Sequence, residues 1–442
     1  MKKASHIVLL NCGLLFDPEK GRASRGLIVA VEDDRIAVVG DLKEVAEHYG
    51  VQSKDLAIGR LAELLDADMI DLGDSFVMPG LIEGHAHIGM DSSLGMERML
   101  LHGGYGEIAI RSVRNAQANL LAGFTTVRDE CSFAFIDVDI RNLIDAGEVW
   151  GPRLRVSGMA LSSLGGHADL HLRPGISPFS VPESHIAYLV NGADEARLAA
   201  RSVIKHGADV VKLMATGGVL SNDASVGAPD LTFEEMRAAS EIARSHGKVV
   251  SAHAHGTQGI KDALRAGVTS IEHGSMIDEE GCELLVKNGA YIVPTLIAHR
   301  SSVEKGKMGM IPFRQYQKAL AVEEHAGWGI SRLRELGARI GFGTDVGTPG
   351  NPHGKQHDEF RLMMEQGGMT SIEVLRAATV VNAELLGMSD SIGSLTPGKY
   401  ADVVAFSGNP LIDIDAMKAC VFVMKGGRVY LRDGAATLFG AV

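Results

Sequence analysis

Short apolar runs alternate with longer stretches of helical periodicity throughout the middle of the chain. Eight runs have the composition of strands: GLIEGHAHI, FTTVRDE, RLRVSGMAL, DVVKLMATG, KVVSAHAHG, TSIEHGS, AYIVPTLIAH and RIGFGTDVG. Helical patterns such as TFEEMRAASEIARSHG and TQGIKDALRAG follow them, and many end on a glycine directly before the next apolar run. A helix that ends on glycine and leads into a nearly continuous apolar strand is typical of a parallel βα unit. Eight such units predict an α/β fold with a closed (β/α)₈ TIM barrel.

A doubly wound open sheet is the alternative arrangement of such units. Its nucleotide-binding forms carry GxGxxG or GxxxxGK(S/T) between a strand and a helix. No GxGxxG opens a helix after the first strand of the repeat, and GxxxxGK(S/T) does not occur in the sequence. The pattern therefore favours the barrel.

Both ends of the chain have a different pattern, with short apolar runs separated by turn residues. IVLLNCGLLFD, GLIVAVEDDRIAVVG and MIDLGDSFVMPG lie near the start, and IGSLTPGKYADVVAFSG and CVFVMKGGRVYL near the end. Such runs are typical of antiparallel strands. We therefore expect one small β-sandwich built from both ends, with residues 1–79 and 391–442 flanking a barrel of residues 80–390.

Composition and charge limit the classes of partner. The chain has 442 residues, of which 45% are hydrophobic and 22% charged, which is typical of a globular protein large enough for a barrel and an accessory domain. Its formal net charge of −12 argues against a nucleic-acid partner, since such a partner requires a basic face. We expect a small-molecule or dipeptide substrate and, because barrels of this type often assemble, a homo-oligomer.

The cysteines and the N-terminal segment bear on location. The four cysteines are scattered without a CxxC pair, which fits a reducing compartment and predicts a cytoplasmic protein. MKKASHIVLLNCGLLFD could be a signal peptide, but it is short, and no small-residue cleavage site follows, so a first β-strand is favoured. No apolar stretch is long enough to span a membrane, so no membrane association is expected.

Polar residues stand where the predicted barrel strands end. The set consists of His85, His87, Lys212, His253, His255, His273 and Asp345. A single buried histidine is most often a core residue, but several at the same end of different strands are not explained in that way. Residues i and i+2 of a strand face the same side, so His85 and His87 both point into the barrel mouth. Imidazoles and a carboxylate suit zinc, and the pattern predicts a metal site.

Lys212 is the unusual member of this set. One interpretation is an ammonium group that pairs with Asp345 in a metal-free site. The other is a neutral amine that has captured CO₂ as a carbamate (N6-carboxylysine). Such a group has two oxygens and one negative charge, and it could bridge two metal ions.

His85-Ala86-His87, Lys212, His253-Ala254-His255, Glu272-His273-Gly274 and Gly343-Thr344-Asp345 together resemble the binuclear, carboxylated-lysine group of the amidohydrolase superfamily. The likeness runs from Met78-Pro79-Gly80 to Pro397-Gly398-Lys399-Tyr400-Ala401-Asp402. VKLMATGGVLS, HAHG and IEHG are most similar to the branch with prolidase-like and Xaa-Arg/Lys dipeptidases, ochratoxin-type amidases and, more distantly, imidazolonepropionases.

The resemblance implies a ligand set for two divalent metal ions per chain, with zinc as the expected metal. His85, His87 and Asp345 would bind the first ion, His253 and His273 the second, and carboxylated Lys212 would bridge them. It also implies that His255 contacts the substrate or the transition state. Asp345 would accept a proton from the attacking metal-activated hydroxide and pass it to the leaving amine.

Three further residues are candidate substrate contacts. His167, in the Gly-rich SSLGGHADLH, could hydrogen-bond the developing oxyanion, or it could be a solvated loop residue. Arg128, at the end of the second strand, could bind a substrate carboxylate or form a salt bridge with Asp129 or Glu130. Arg300, next to His299 after the seventh strand, has the same alternatives. The loop SNDASVGAPD after the fourth strand could shape the pocket or be a plain connection.

The function predicted first is hydrolysis of dipeptides or N-acyl amino acids, with Xaa-Pro cleavage preferred over Xaa-Arg/Lys cleavage. No acid pair at a strand end is evident for a basic side chain, although Asp223 or Asp230 could serve. Opening of a cyclic amide or deamination is the second hypothesis, but those relatives typically have one metal and no bridging lysine. A non-catalytic binding protein is the third, and such proteins usually lose ligands that are all present here.

Overall fold

The structure is a computed structural model that describes residues 6–52, 56–93, 104–169, 186–221 and 225–437. Its contacts divide the chain into two compact units. The first unit contains the residues up to Ile82, Ala118–Thr126 and the residues from Thr370 onward. The second contains Glu83–Gln117 and Val127–Met369.

The strands and helices follow one another along the whole described chain. The strands are β1 (Ile7–Asp17), β2 (Arg22–Glu32), β3 (Arg35–Gly40), β4 (Asp68–Asp71), β5 (Phe76–Pro79), β6 (Leu81–Ala86), β7 (Phe124–Asp129), β8 (Arg153–Val156), β9 (Ala160–Ser163), β10 (Ala187–Val190), β11 (Val210–Met214), β12 (Val249–Ala254), β13 (Ser270–His273), β14 (Tyr291–Val293), β15 (Arg339–Ile340), β16 (Val403–Phe406), β17 (Cys420–Lys425), β18 (Arg428–Arg432) and β19 (Ala435–Ala436). The helices are α1 (Leu42–His48), α2 (Ile58–Leu65), α3 (Tyr105–Leu121), α4 (Ile136–Asp145), α5 (Ala193–Lys205), α6 (Phe233–Ser245), α7 (Thr257–Ala266), α8 (Glu279–Asn288), α9 (Leu296–Lys307), α10 (Phe313–Glu335), α11 (Asp358–Gly367), α12 (Ser371–Arg376) and α13 (Asn382–Leu385), with a π-helical turn at Ala377–Val381 and a 3₁₀ turn at Ile414–Lys418.

The first unit contains a nine-stranded sheet that joins the two ends of the chain. Its order is β19-β18-β17-β16-β5-β1-β2-β3, with β4 also paired to β1. The junction is the pairing of β5 with β1 on one side, parallel, and with β16 on the other, antiparallel. Because neighbouring strand residues face opposite sides, Leu9 packs with Leu61 of α2 while Leu10 packs with Val403 and Phe422.

The second unit is built on parallel strands. One sheet has the order β10-β9-β11-β12-β13-β14-β15, and a second has the order β6-β7-β8. Backbone hydrogen bonds join the two sheets on both sides. The amide of Asp209, just before β11, donates to Val156 of β8 at 2.7 Å. That of Gly84 in β6 donates to Phe342, just after β15, at 3.0 Å. Every residue of β6, β7 and β11 is buried.

Helix ends explain how the chain returns to each strand. Thr232 and Glu235 form a capping box at the start of α6. Gly267 and Gly289 end α7 and α8 in the left-handed conformation, with φ of 86° and 62°. A side chain would be strained there, which is why glycine precedes the next strand. No helix of the described residues is long and apolar enough to cross a membrane.

Two of the predicted strands were wrong in extent. RLRVSGMAL is not one strand but two, β8 and β9, because Gly158 between them has a φ of 62° and turns the chain. AYIVPTLIAH is a strand only over Tyr291–Val293, and helix α9 begins at Leu296. The second difference changes which side chains reach the strand ends.

Candidate metal centre

The parallel strands bring the polar strand-end residues to one edge of the second unit. Lys212 of β11 lies opposite Ser251 of β12, and His253 of β12 lies opposite Glu272 of β13. Since the carboxyl ends of parallel strands meet at the same edge, residues far apart in sequence become neighbours.

His85, His87 and Asp345 form the first cluster, with potential ligand atoms all within 4.8 Å of one another. Oδ1 of Asp345 lies 3.0 Å from Nε2 of His87 and 3.5 Å from Nε2 of His85. The backbone amide of Asp345 donates to the carbonyl of His85 at 2.8 Å, which fixes the segment after β15 beside β6. Two imidazoles and a carboxylate are a ligand set that zinc prefers.

His253, His255 and His273 form the second cluster, also within 4.8 Å. The ring centroids of His253 and His273 are 4.7 Å apart, and those of His85 and His273 are 4.9 Å apart. The two clusters are therefore adjacent. The assignment of His253 rather than His255 as the ligand stays a prediction.

One nitrogen of each ring in the second cluster is already engaged, which leaves the other for a metal or a substrate. Nδ1 of His273 lies 2.6 Å from Oγ1 of Thr295, and Nδ1 of His255 lies 2.9 Å from Oγ of Ser275. Nε2 of His253 lies 3.4 Å from the carbonyl of Gly217. Such contacts fix the tautomer and orientation of metal-binding imidazoles.

Burial keeps the imidazoles in the form that binds metal. It lowers the pKa of His85, His253, His255 and His273 well below the ordinary value. Burial alone would raise the pKa of Asp345, but its hydrogen bond with His87 and the nearby charges outweigh this and lower it. Neutral imidazoles next to an ionised carboxylate are the donor set that a divalent cation requires.

Lys212 is 1% exposed and interacts electrostatically with His85 of the first cluster and with His253 of the second. Its Nζ lies 3.0 Å from Oε2 of Glu130 but makes no hydrogen bond of suitable geometry with the described residues. Its ionic neighbour is thus Glu130, and not Asp345 as the metal-free alternative assumed. An incompletely bonded, buried amine beside two sets of metal donors fits a group that bridges two ions as a carbamate.

Three of the ten described non-glycine residues with positive φ lie at this site. His273 and Asp345 have φ values of 69° and 56°, and Thr295, which holds His273, has a φ of 52°. Non-glycine residues in this region cost about 1–3 kcal/mol each and cluster at functional sites. Strain at two candidate ligands supports a functional assignment for this edge.

His167 lies over the second cluster. Its ring stacks on His253 with centroids 4.1 Å apart and an interplanar angle of 14°. Its Nδ1 lies 2.7 Å from Oγ of Ser221, and its backbone amide donates to Asp230 at 2.7 Å. Burial lowers the pKa of His167 to about 4. A neutral imidazole held in this way can hydrogen-bond a substrate bound at the cluster.

The structure places the two predicted arginine contacts elsewhere. Arg128 is fully buried, with its guanidinium on Glu272, on the carbonyl of Gly84 and 2.7 Å from Oε1 of Glu130. The salt-bridge alternative therefore describes it. Nε of Arg300 binds Glu323 at 3.0 Å, in an ion pair that is partly exposed. Both guanidinium groups are thus paired with glutamates in this structure.

Sequence analysis missed three residues at this site. Glu272, within IEHG, holds His85 at 2.8 Å, and Glu130 lies beside Lys212. His299 is buried near the second cluster, although only its neighbour Arg300 was selected. The acid in IEHG was a usable signal, because metal-binding histidines commonly pair with carboxylates. Asp223 of the following loop lies outside the described residues.

Parallel βα units that present histidines, a lysine and an aspartate at one edge define the class of metal-dependent α/β hydrolases. The chain belongs to the Amidohydrolase family, which it matches over residues 76–431.

Individual proteins agree with this assignment. The chain is 30% identical to ochratoxinase from Aspergillus niger over 449 aligned positions, covering 97% of this chain and 87% of that protein. A crystal structure of a Xaa-Pro dipeptidase with bound methionine has a TM-score of 0.84 at 33% identity, covering 96% of this chain and 100% of the other. A crystal structure of a prolidase complexed with N-methylphosphonate-L-proline has a TM-score of 0.83 at 32% identity, covering 96% of this chain and 100% of the other. The predicted family and branch are confirmed.

Proposed function

We propose that this chain is a binuclear metal-dependent amide hydrolase that cleaves dipeptides or N-acyl amino acids, with Xaa-Pro dipeptides as the preferred class. The observation that carries the proposal is the pair of adjacent clusters with the buried Lys212 near both. One ion would be held by His85, His87 and Asp345, and the other by His253 and His273. Carboxylated Lys212 would contact both ions. When bound, the ions would supply an activated water and polarise the scissile carbonyl.

Three side chains around the clusters would transfer protons or contact the substrate. Asp345, whose pKa is lowered, is ionised at neutral pH and can take a proton from the attacking water and return it to the leaving amine. His167, stacked on His253, can donate a hydrogen bond to the carbonyl oxygen as negative charge develops on it. His255 can contact the substrate from the opposite side of His253.

The acids at the mouth favour an apolar leaving residue. Asp230 accepts hydrogen bonds from Ser162, Ser163 and His167, so it is already occupied. Glu272 and Glu130 are fully buried against Arg128. Within the described part of the chain these groups offer no acid pair to a basic side chain. The similarity to a Xaa-Pro dipeptidase supports the same choice.

Cyclic-amide opening is the second candidate function, and the ligand set weighs against it. A reaction that uses one metal ion does not require a lysine to bridge two groups of metal-binding side chains. Zinc as the metal, carbamate formation on Lys212 and a cytoplasmic location remain part of the proposal. The location rests on the four cysteines, all of which are free thiols.

The finer features of the fold belong to this proposal as well. The hydrogen bonds on both sides of the β6-β7-β8 sheet support a closed barrel. The nine-stranded sheet would form the β-sandwich.

The test is a substrate library on zinc-loaded protein, with metal analysis of the same preparation. The library contains Xaa-Pro, Xaa-Arg, Xaa-Lys and N-acyl amino acids together with cyclic amides. We expect two metals per chain and fastest turnover on Xaa-Pro. Turnover of cyclic amides alone, with one metal per chain, would replace this proposal by the second candidate. Activity that survives complete removal of metal would overturn both.

A further inference from the structure

His299 is a buried imidazole at the second cluster that the reaction described above does not use. It lies in the first turns of α9 and is 5% exposed. Its ring centroid is 5.6 Å from that of His255 and 6.1 Å from that of His273. Its Nδ1 has no hydrogen-bond partner among the described residues. Buried polar atoms are nearly always bonded, so an unbonded buried nitrogen in a ring this close to the cluster indicates a ligand.

Ser275 connects His299 to His255. Its Oγ lies 2.9 Å from Nδ1 of His255 and 3.4 Å from Nε2 of His299. A hydroxyl has a single hydrogen, so when Ser275 bonds both rings it donates to one and accepts from the other. If Ser275 donates to His299, then His255 donates to Ser275. In that state Nδ1 of His299 carries a hydrogen and Nε2 of His255 is an acceptor.

This state suits a substrate with a carboxylate beside the scissile amide. Arg128 and Arg300 are both engaged by glutamates. Lys318 donates to the carbonyl of Ser221 at 2.7 Å. In this tautomer His299 has an unbonded N–H at Nδ1, in a ring whose centroid is 5.6 Å from that of His255. The ring is buried enough for a hydrogen bond to a charged group to be strong.

We propose that His299 binds the carboxylate of the leaving residue through Nδ1, with its tautomer set by Ser275. This assignment rests on the proposed function, because it needs a substrate with a free carboxylate. His299 is thus a determinant of specificity for free acids over their amides. A hydrogen bond to a charged group corresponds to about 10- to 100-fold in kcat/KM.

The experiment compares each Xaa-Pro dipeptide with its C-terminal amide on metal-loaded protein. For His299→Phe we expect about a 10- to 100-fold loss of kcat/KM on the acid, mainly through KM, and little loss on the amide. His299→Asn should recover much of the loss, since its side-chain amide can take the place of Nδ1–H. Ser275→Ala should lower the preference for the acid by a smaller factor.

The matched control is His325→Asn, an exposed helical histidine whose Nδ1 bonds the carbonyl of Ala321. Metal content and circular dichroism should equal those of the wild type in all variants. Equal losses on acid and amide, or no loss on either, would overturn the assignment of His299. If the wild-type protein hydrolyses no amide that carries a carboxylate, the proposed function is overturned instead. The wild-type measurements therefore distinguish this failure from a failure of the His299 assignment.

Discussion

Oε2 of Glu272 lies 2.8 Å from Nδ1 of His85, and both side chains are buried. The same carboxylate binds the guanidinium of Arg128 at 2.8 and 2.9 Å, and Arg128 lies 2.7 Å from Glu130, the neighbour of Lys212. Buried charged groups therefore connect His85 of the first cluster to Lys212. The contact with Glu272 favours the tautomer of His85 in which Nδ1 carries the hydrogen and Nε2 presents a lone pair.

Replacement of Glu272 by glutamine should weaken metal binding. The glutamine side chain is neutral, so Arg128 loses one of its two carboxylate partners. The glutamine also no longer fixes the hydrogen of His85 at Nδ1. We expect a 10- to 100-fold loss of zinc affinity, measured by competition with a chromogenic chelator. The control is Glu280→Gln, whose carboxylate pairs with Lys261 and Arg265 at the surface. Unchanged affinity in Glu272→Gln would show that the contact does not support the ligand.

Lys212→Ala should bind fewer metals than the wild type. Under the proposed function this substitution removes the carbamate that would hold both ions, so we expect the metal content to fall from two per chain to one or fewer. Added formate or acetate should restore part of the content by supplying a carboxylate. Lys287→Ala, at an exposed helical site, is the control. A full metal complement in Lys212→Ala without added carboxylate would exclude a bridging function.

Asp345→Asn should retain the fold and lose most turnover. The amide can neither take a proton from water nor return it, while it can still accept the contact from His87. We expect a loss of at least 100-fold in kcat, in the range of a lost general base. The measurement is steady-state kinetics on protein whose metal content has been matched to the wild type. Normal kcat at equal metal content would refute the assigned role of Asp345.

The strand-end residues could be predicted because the carboxyl ends of the strands in a parallel sheet all lie at the same edge. His85, Lys212, His253 and His273 each follow or end an apolar run, and register alone brings them to one edge. Arg128 also lies at a strand end, but the sequence left it open between a substrate contact and a salt bridge. Its partner Glu272 stands 144 residues further on, and nothing local indicates that the two meet.

The different directions of His299 and Arg300 could not be predicted for another reason. The run AYIVPTLIAH was predicted as a strand, but helix α9 begins at Leu296. Successive residues of a helix point about 100° apart. His299 therefore faces the cluster while Arg300 faces Glu323 of α10. The boundary of a short strand decides the direction of each side chain, and that boundary is the least certain feature of a sequence pattern.

Gly218→Ala should displace His167 without removing a ligand. A Cβ at Gly218 would lie 2.2 Å from Cε1 and 2.6 Å from Nδ1 of His167. The ring must then leave its position on His253, so we expect a fall in kcat with metal content unchanged. Gly106→Ala is the control, since a Cβ there meets nothing within 4 Å. Wild-type kcat in Gly218→Ala would show that the stacked position of His167 does not matter for turnover.

His299 should make the stability of the metal-free protein fall as pH falls. Burial lowers the pKa of His299 to about 4, whereas a histidine of the unfolded chain has a pKa of about 6.5. Between these values the unfolded chain binds the additional proton, so the stability present above pH 6.5 is lost as the pH approaches 4. The free energy of unfolding should therefore fall by about 2 kcal/mol more in the wild type than in His299→Gln between pH 7 and pH 5. The other buried histidines are common to both proteins, and because His299 also lowers the pKa of His255, the difference reports these two residues together. Urea unfolding at the two pH values measures this difference in the free energy of unfolding. If that free energy falls equally in the two proteins, His299 titrates as an exposed residue does.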